Sequence, residues 1–481
     1  MRDSDPALHY VNIGPDGTFR PSGAVHTTPA DVDAILEKVG AHPSGKVAVH
    51  FHGGLVKEAK GLELARRIAP SYERGGAYPI TVVWETGLLE TVTRNLRSVN
   101  ETKLFNKLVD YAIRHAAKWL GAGVGARGPG QPMSMAEVEA ARASDAEMEE
   151  MDLRARGPGG VGSDADVEAI EPEIELEVQA DLEADDELPA LLEPDTPDRQ
   201  AIDAEALGAV DADGQRGIVS TVTVARIVVR VVTRTLKRFT SGRDHGVIPT
   251  VVEEVMREAY LAQVGEWIWS GMKAAAEGMF EPNAAPLSED SHAGSYLLEG
   301  LARLQAERPE LKIDLIGHSA GSIAIAHMLE AAAQRHPGFH VRNLVLLAPA
   351  AGADVFDRGI RANEALFDAF RMFTMEDALE CKDHLVPTVY PRSLLYLISG
   401  ILDGEADSPV VGLRRHTSGE APYDQAPLIN VSRFLAEPQN RLVLSRTRED
   451  AAEGLRTSSA RHGDFDNDEL TLASLTAIVA Q

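Results

Sequence analysis

The chain has 481 residues, and its formal net charge of −27 is uneven: residues 137–213 hold 26 Asp or Glu against 4 Arg and no Lys. That segment carries −22 and leaves −5 for the rest, a balance with no basic footprint for nucleic acid. A single cysteine, Cys381, excludes an intramolecular disulfide framework, the N-terminus lacks the apolar run of a secretory signal, and no stretch of about 18 uncharged apolar residues could span a bilayer. The expectation is a soluble, cytoplasmic α/β protein with fewer domains than the roughly three its length would allow.

Short apolar runs alternate with longer helical patterns, the signature of a mostly parallel central sheet flanked by helices. Strands are predicted at residues 46–52 and 79–85 and then, after a long interval, at 312–317, 341–347, 393–399 and 441–446. Most are nearly continuous apolar runs, as strands covered on both faces are. Helices are predicted near 56–71, 288–308, 320–335, 361–372, 429–436 and 466–479. Residues 1–87 and 288–481 therefore read as one core interrupted by an insertion.

The insertion has three parts. Residues 88–120 read as helical, with Leu96, Val99, Leu104, Leu108, Ala112 and Trp119 among the apolar positions. Residues 121–217 read as an acidic disordered linker: they open on GAGVGARGPG, no aromatic residue lies between 120 and 238, and so acidic a stretch offers little to bury. Such a loop could recruit a basic partner. Residues 218–287 return to a helical cap. Within 218–239, Arg226, Arg230 and Arg234 share one helical stripe beside Val224, Ile227, Val228, Val231 and Val232. Two readings stay open: peripheral contact of this helix with an anionic membrane, or a cap helix whose arginines are solvated or paired to glutamates. Residues 246–260 and 264–272 extend the cap, the latter with Trp267 and Trp269.

Two motifs carry chemistry. Gly317-His318-Ser319-Ala320-Gly321 is a G-x-S-x-G pentapeptide between an apolar strand and a good helix former, a context that exposes a serine on a sharp strand-to-helix turn. The helix start behind it offers main-chain N–H groups to developing negative charge. His50-Phe51-His52-Gly53-Gly54-Leu55 closes the first strong strand, where glycines let backbone donors face a cleft. A metal reading of the His50/His52 pair lacks further ligands nearby.

Together these residues resemble the α/β-hydrolase superfamily of serine esterases, lipases and related acyl hydrolases, over residues 46–87 and about 288–481. The resemblance implies Ser319 as nucleophile. It places the oxyanion between the main-chain N–H of Ala320 and that of Gly54 or Leu55, with His52, Gly53 and His318 as substrate-contacting neighbours. The family's order of nucleophile, acid and histidine leaves His462, the histidine after the last predicted strand, as general base. His327, His336, His340, His384 and His416 all lie earlier. Asp403, in the loop past the 393–399 run, is the expected acid, with Asp407 and Asp354 as alternatives. The implied reaction is hydrolysis of a small-molecule carboxylic ester, including lipid esters, through an acyl-enzyme and without metal or organic cofactor. An alternative is a non-catalytic binding or scaffold protein on the same fold. Asp466 or Asn467 is expected to cap the terminal helix, in preference to a calcium reading of the acidic 464–469 run.

Overall fold

Successive strand residues face opposite ways, so apolar runs such as KVAVHF and VRNLVLL need cover on two sides. In the computed structural model, residues 8–23, 25–53, 58–84, 88–122, 132–157, 160–193, 196–202, 221–260, 266–387 and 389–481 are described. Seven strands form one sheet: β1 (Tyr10–Ile13), β2 (Lys46–Phe51), β3 (Tyr78–Trp84), β4 (Lys312–His318), β5 (Val341–Leu347), β6 (Phe367–Met375) and β7 (Leu442–Ser445). Their order is β1-β3-β2-β4-β5-β6-β7, and every neighbouring pair is parallel. The fold is α/β.

The two faces take alternate residues. Val47, Val49, Phe51, Leu344 and Leu346 join one apolar cluster, which the helices Pro29–Ala41, Ala293–Glu307 and Gly321–Arg335 help to build. Ala48, Val345, Leu347, Phe373 and Met375 join the other, against the helices Glu58–Arg74 and Glu469–Ala480. β4 lies between β2 and β5, with Phe51 opposite Gly317 and His318 opposite Leu347. The carboxyl ends of these three central strands therefore open on one place, where ligands of parallel sheets bind.

Three expectations are corrected. Residues 393–399 are not a strand: Leu394–Leu397 is helical and Ile398–Leu402 continues as a π-turn, fully buried. A short, uniformly apolar run does not distinguish a buried strand from a buried helix. Only the first half of residues 361–372 is helical, a 3-10 segment over Arg361–Leu366; from Phe367 onward the chain forms β6, bonded on both sides to β5 and β7. Their Ala, Leu and Arg content favours helix, but pairing between two strands overrides that weak preference.

The acidic segment is the third. Its described parts are helices, Met135–Ala143, Asp145–Ala155, Asp164–Glu183, Leu188–Leu191 and Pro197–Ala201, while 123–131, 158–159, 194–195 and 203–220 lie outside the described residues. Val167, Ile174, Val178 and Leu182 recur at helical spacing and are buried in the same cluster as the sheet face. The acids occupy the remaining faces and meet cations of neighbouring helices: Lys107 with Asp185 at 2.6 Å, Arg114 with Asp181 at 2.7 Å, Lys237 with Glu168 at 3.1 Å. The segment packs because its charge has partners on Lys103–Trp119 and Thr221–Thr240, which composition alone does not reveal.

Ile174 tests this packing. Its side chain is 0% exposed, so Ile174→Ala is expected to lower unfolding free energy by about 2–4 kcal/mol in denaturant titration. A free linker would give less than about 0.5 kcal/mol.

Candidate active site

A parallel strand that must turn at once into a helix has room for one residue of reversal, and Ser319 is that residue. Its φ is 50°, in the left-handed region, which costs an L-residue about 1–2 kcal/mol. Neighbouring strands hold it there. Ser319 N donates to Leu347 O at 2.9 Å, and Ser319 O accepts from Ala350 N at 3.0 Å and from Ser322 Oγ at 2.6 Å. Gly321 is needed for the same turn, since a Cβ there would stand 2.2 Å from Phe51 O. Ala320 is the N-cap of Gly321–Arg335, where main-chain N–H groups lack intrahelical acceptors.

The last loop of the chain brings His462 to this turn. His462 Nε2 lies 3.0 Å from Ser319 Oγ, across 143 residues of sequence, and both residues are buried. Three contacts fix the loop. His462 N donates to Asp383 Oδ2 at 2.7 Å. His318 Nε2 donates to His462 O at 3.1 Å, with the two rings stacked at 5.4 Å. His318 Nδ1 meets Asp466 Oδ2 at 3.1 Å. Both His318 nitrogens thus face acceptors, which requires a proton on each. Burial alone would lower the His318 pKa, but the Asp466 carboxylate outweighs it and raises it; Asp466 in turn lies below its ordinary value because His318 outweighs its burial.

His462 Nδ1 is buried and has no hydrogen-bond partner among the described residues. Burial pushes this imidazole down to about 3, and the His318 charge adds to the effect. The expected acids are elsewhere. Asp403 pairs with Lys273 and accepts from Trp269 Nε1 at 3.2 Å. Asp407 is enclosed by His245, His416 and Tyr423, and Asp354 is exposed in the first turn of Ala353–Gly359. Two carboxylates stand near His462: Asp383, which burial raises and the His462 N–H partly restores, bonds its main chain, and Asp466 is the one whose charge raises the ring's pKa against burial. Because β6 has a helix-favouring composition, the sequence does not mark the loop after it, which carries Asp377, Glu380 and Asp383. Asp466, expected as a helix cap, serves His318 instead, and Asp468 caps the terminal helix through Thr471 N.

The other predicted residues divide. Gly53 faces the nucleophile: a Cβ there would stand 3.1 Å from Ser319 Cβ. His52 accepts from Trp84 N through Nε2 at 3.2 Å, bonds Gly53 O through Nδ1 at 2.6 Å and stacks on Trp84, so it shapes the strand end rather than facing the cleft. Gly54 and Leu55 lie outside the described residues. Of the arginine stripe, Arg230 and Arg234 both engage Glu258, at 2.5 and 2.7 Å. No helix among the described residues is long and apolar enough to cross a membrane.

No protein-family model matches this sequence, and comparison with curated proteins and with solved structures finds no match. What is shown by the fold is its class: an α/β protein with one parallel sheet.

Burial lowers His462 to about 3, His50 to about 3 and His52 to about 4. The folded chain keeps these rings neutral, while the unfolded chain protonates them below about 6.5. Unfolding then takes up protons, so stability falls as pH drops from about 6.5 toward 4. His318, raised instead, acts oppositely: its contribution is full below about 6.5 and lost at higher pH. Denaturant titrations across this range are expected to show a slope that His462→Gln flattens by up to about 1.4 kcal/mol per pH unit.

Proposed function

We propose that the chain is a serine hydrolase of α/β-hydrolase type, cleaving a carboxylic ester through an acyl-enzyme on Ser319. The observation that carries this reading is the 3.0 Å approach of His462 Nε2 to Ser319 Oγ at a strained strand-to-helix turn. A neutral imidazole, kept so by burial, has a lone pair for the serine proton. Ser319 Oγ attacks the ester carbonyl as His462 takes that proton, and the oxyanion develops beside the Ala320 N–H. His462 returns the proton to the departing alkoxide. Water, deprotonated by the same ring, then attacks the acyl carbonyl, and the acid leaves as Ser319 is reprotonated.

The reading assigns Asp383 as the carboxylate that holds the base in place, accepting from the main-chain N of His462 at 2.7 Å, while the charge of Asp466 is the one that favours imidazolium on the ring. His318 and Asp466 position the base and do not touch substrate. Lipid esters are the long-chain members of the substrate class. A second reading, a binding protein that keeps the fold without turnover, draws on one observation: the unpartnered Nδ1 of His462.

A fluorophosphonate probe separates the two. The folded parent is expected to be labelled and Ser319→Ala is not; a folded parent that resists labelling overturns the hydrolase reading. Against p-nitrophenyl esters of increasing chain length, Ser319→Ala and His462→Gln are expected to lower kcat/KM by at least about 10³-fold. Asp383→Asn is expected to cost about tenfold or more, short of the ~10⁴ found where a carboxylate bonds the ring itself.

A further inference from the structure

A second convergence of ionisable side chains lies where the insertion meets the body. His245 precedes the insertion helix Val247–Ala259; Asp407 and His416 belong to the body loop after the π-turn Ile398–Leu402. His245 Nε2 and His416 Nε2 stand 2.9 and 3.0 Å from a single atom, Asp407 Oδ1, and all three side chains are 0% exposed. The three donor atoms lie within 4.8 Å of one another. Among the described residues, they share no hydrogen-bond partner with Ser319 or His462.

Each far side is also held. His245 Nδ1 lies 2.7 Å from Glu253 Oε1, and Tyr423 OH donates to Asp407 Oδ2 at 2.9 Å. Val410 presents its C=O at 3.2 Å and its N–H at 2.9 Å to His416 Nδ1, so that ring keeps a main-chain partner whichever nitrogen carries the proton. A carboxylate or carbonyl on the outer nitrogen is what turns the other nitrogen's lone pair toward an ion. Arg238 and Arg243 bond the outer oxygens, Glu253 Oε2 at 2.6 Å and Asp407 Oδ2 at 3.5 Å. The backbone bends to make the cluster. Asp407 has φ 58°, and Gly400 in the π-turn leaves the space Glu253 fills, since a Cβ there would stand 2.3 Å from its carboxyl carbon. Strain and π-turns of this kind gather at functional sites.

We propose that His245, Asp407 and His416 form a site for a divalent transition-metal ion, Zn²⁺ by ligand type, that fastens the insertion to the body. Two imidazoles and one carboxylate suit Zn²⁺, which binds such atoms at about 2.0–2.2 Å in a tetrahedral set whose fourth position these three residues leave open. Magnesium and calcium prefer all-oxygen sets. Enclosure gives the ion a structural role. Without an ion the same side chains form a hydrogen-bonded network in which Asp407 Oδ1 accepts from both rings, and the experiment separates these states.

The full chain is expressed in medium supplemented with Zn²⁺ or, separately, Co²⁺, desalted, and its metal measured by elemental analysis. The expected result is about one ion per chain, with visible ligand-field bands in the Co²⁺ form. His416→Gln and Asp407→Asn are each expected to lose at least about tenfold in metal content at unchanged circular dichroism, and Glu253→Gln to weaken retention about 10- to 100-fold. A folded parent that carries no ion and shows no Co²⁺ bands overturns the proposal. So does a His416→Gln chain that keeps the parent's metal content. Should a variant fail to fold, the parent's metal content and Co²⁺ spectrum decide alone. None of these outcomes depends on whether Ser319 reacts.

Discussion

The left-handed turn at Ser319 is the constraint on which the remaining architecture rests. A serine at φ 50° is stable only while its surroundings over-determine it, and here they are the ends of three central strands. Leu347 at the end of β5 takes its N–H, the segment after β5 and the following helix take its carbonyl, and Phe51 at the end of β2 packs against Gly321. The turn cannot relax without separating those strands. That is why the hydroxyl is as rigid as the sheet, and why the parallel order around β4 matters more to the site than any single side chain.

The imidazole is placed by a different route. His462 stands in a loop, and loops hold position only where hydrogen bonds or packing fix them. Here the fixing is through the main chain: Asp383 takes its N–H and His318 bonds its carbonyl, while Asp466 anchors His318 from the same loop. Among the described residues, the ring itself is bonded to Ser319 and to nothing through Nδ1. Geometry and charge compensation, which one carboxylate on the outer nitrogen would supply together, are here divided between residues. His318 carries a proton and so works against a charge on its neighbour. Asp466 is the carboxylate whose charge answers it.

The sheet strands β2 to β5 and the G-x-S-x-G turn were legible because their signals are local: a continuous apolar run, then glycines at fixed offsets. His462 was legible because few histidines follow the last strand. The carboxylate that meets the His462 main chain, Asp383, was not, and the reason is traceable. Residues 367–375 carry helix-favouring Ala and Arg between aromatic positions, and only the open edges of β5 and β7 make them a strand. Misplacing that strand moved the expected acid to Asp403, whose actual partners are Lys273 and Trp269. The acidic segment hid its structure in a related way. Val167, Ile174, Val178 and Leu182 keep helical spacing, yet the charge between them dominates any composition measure, and the cations that neutralise it lie on helices remote in sequence.

Those cations change what the net charge of −27 signifies. Asp181, Asp185 and Glu168 are met by Arg114, Lys107 and Lys237, so the segment is joined to the insertion by ion pairs as well as by apolar contact. Lys237–Glu168 is exposed and contributes little stability, while the other two are more enclosed; together they set register, since a one-residue slip of Asp164–Glu183 would carry its apolar stripe and its acids to the wrong neighbours together. The deeper junction follows the same logic with higher stakes. Arg392 of the body and Asp152 of the insertion form a buried pair, and a buried pair that loses one member leaves an uncompensated charge. A docking of insertion on body that separated Arg392 from Asp152 would therefore be penalised, whereas apolar surfaces alone would discriminate less.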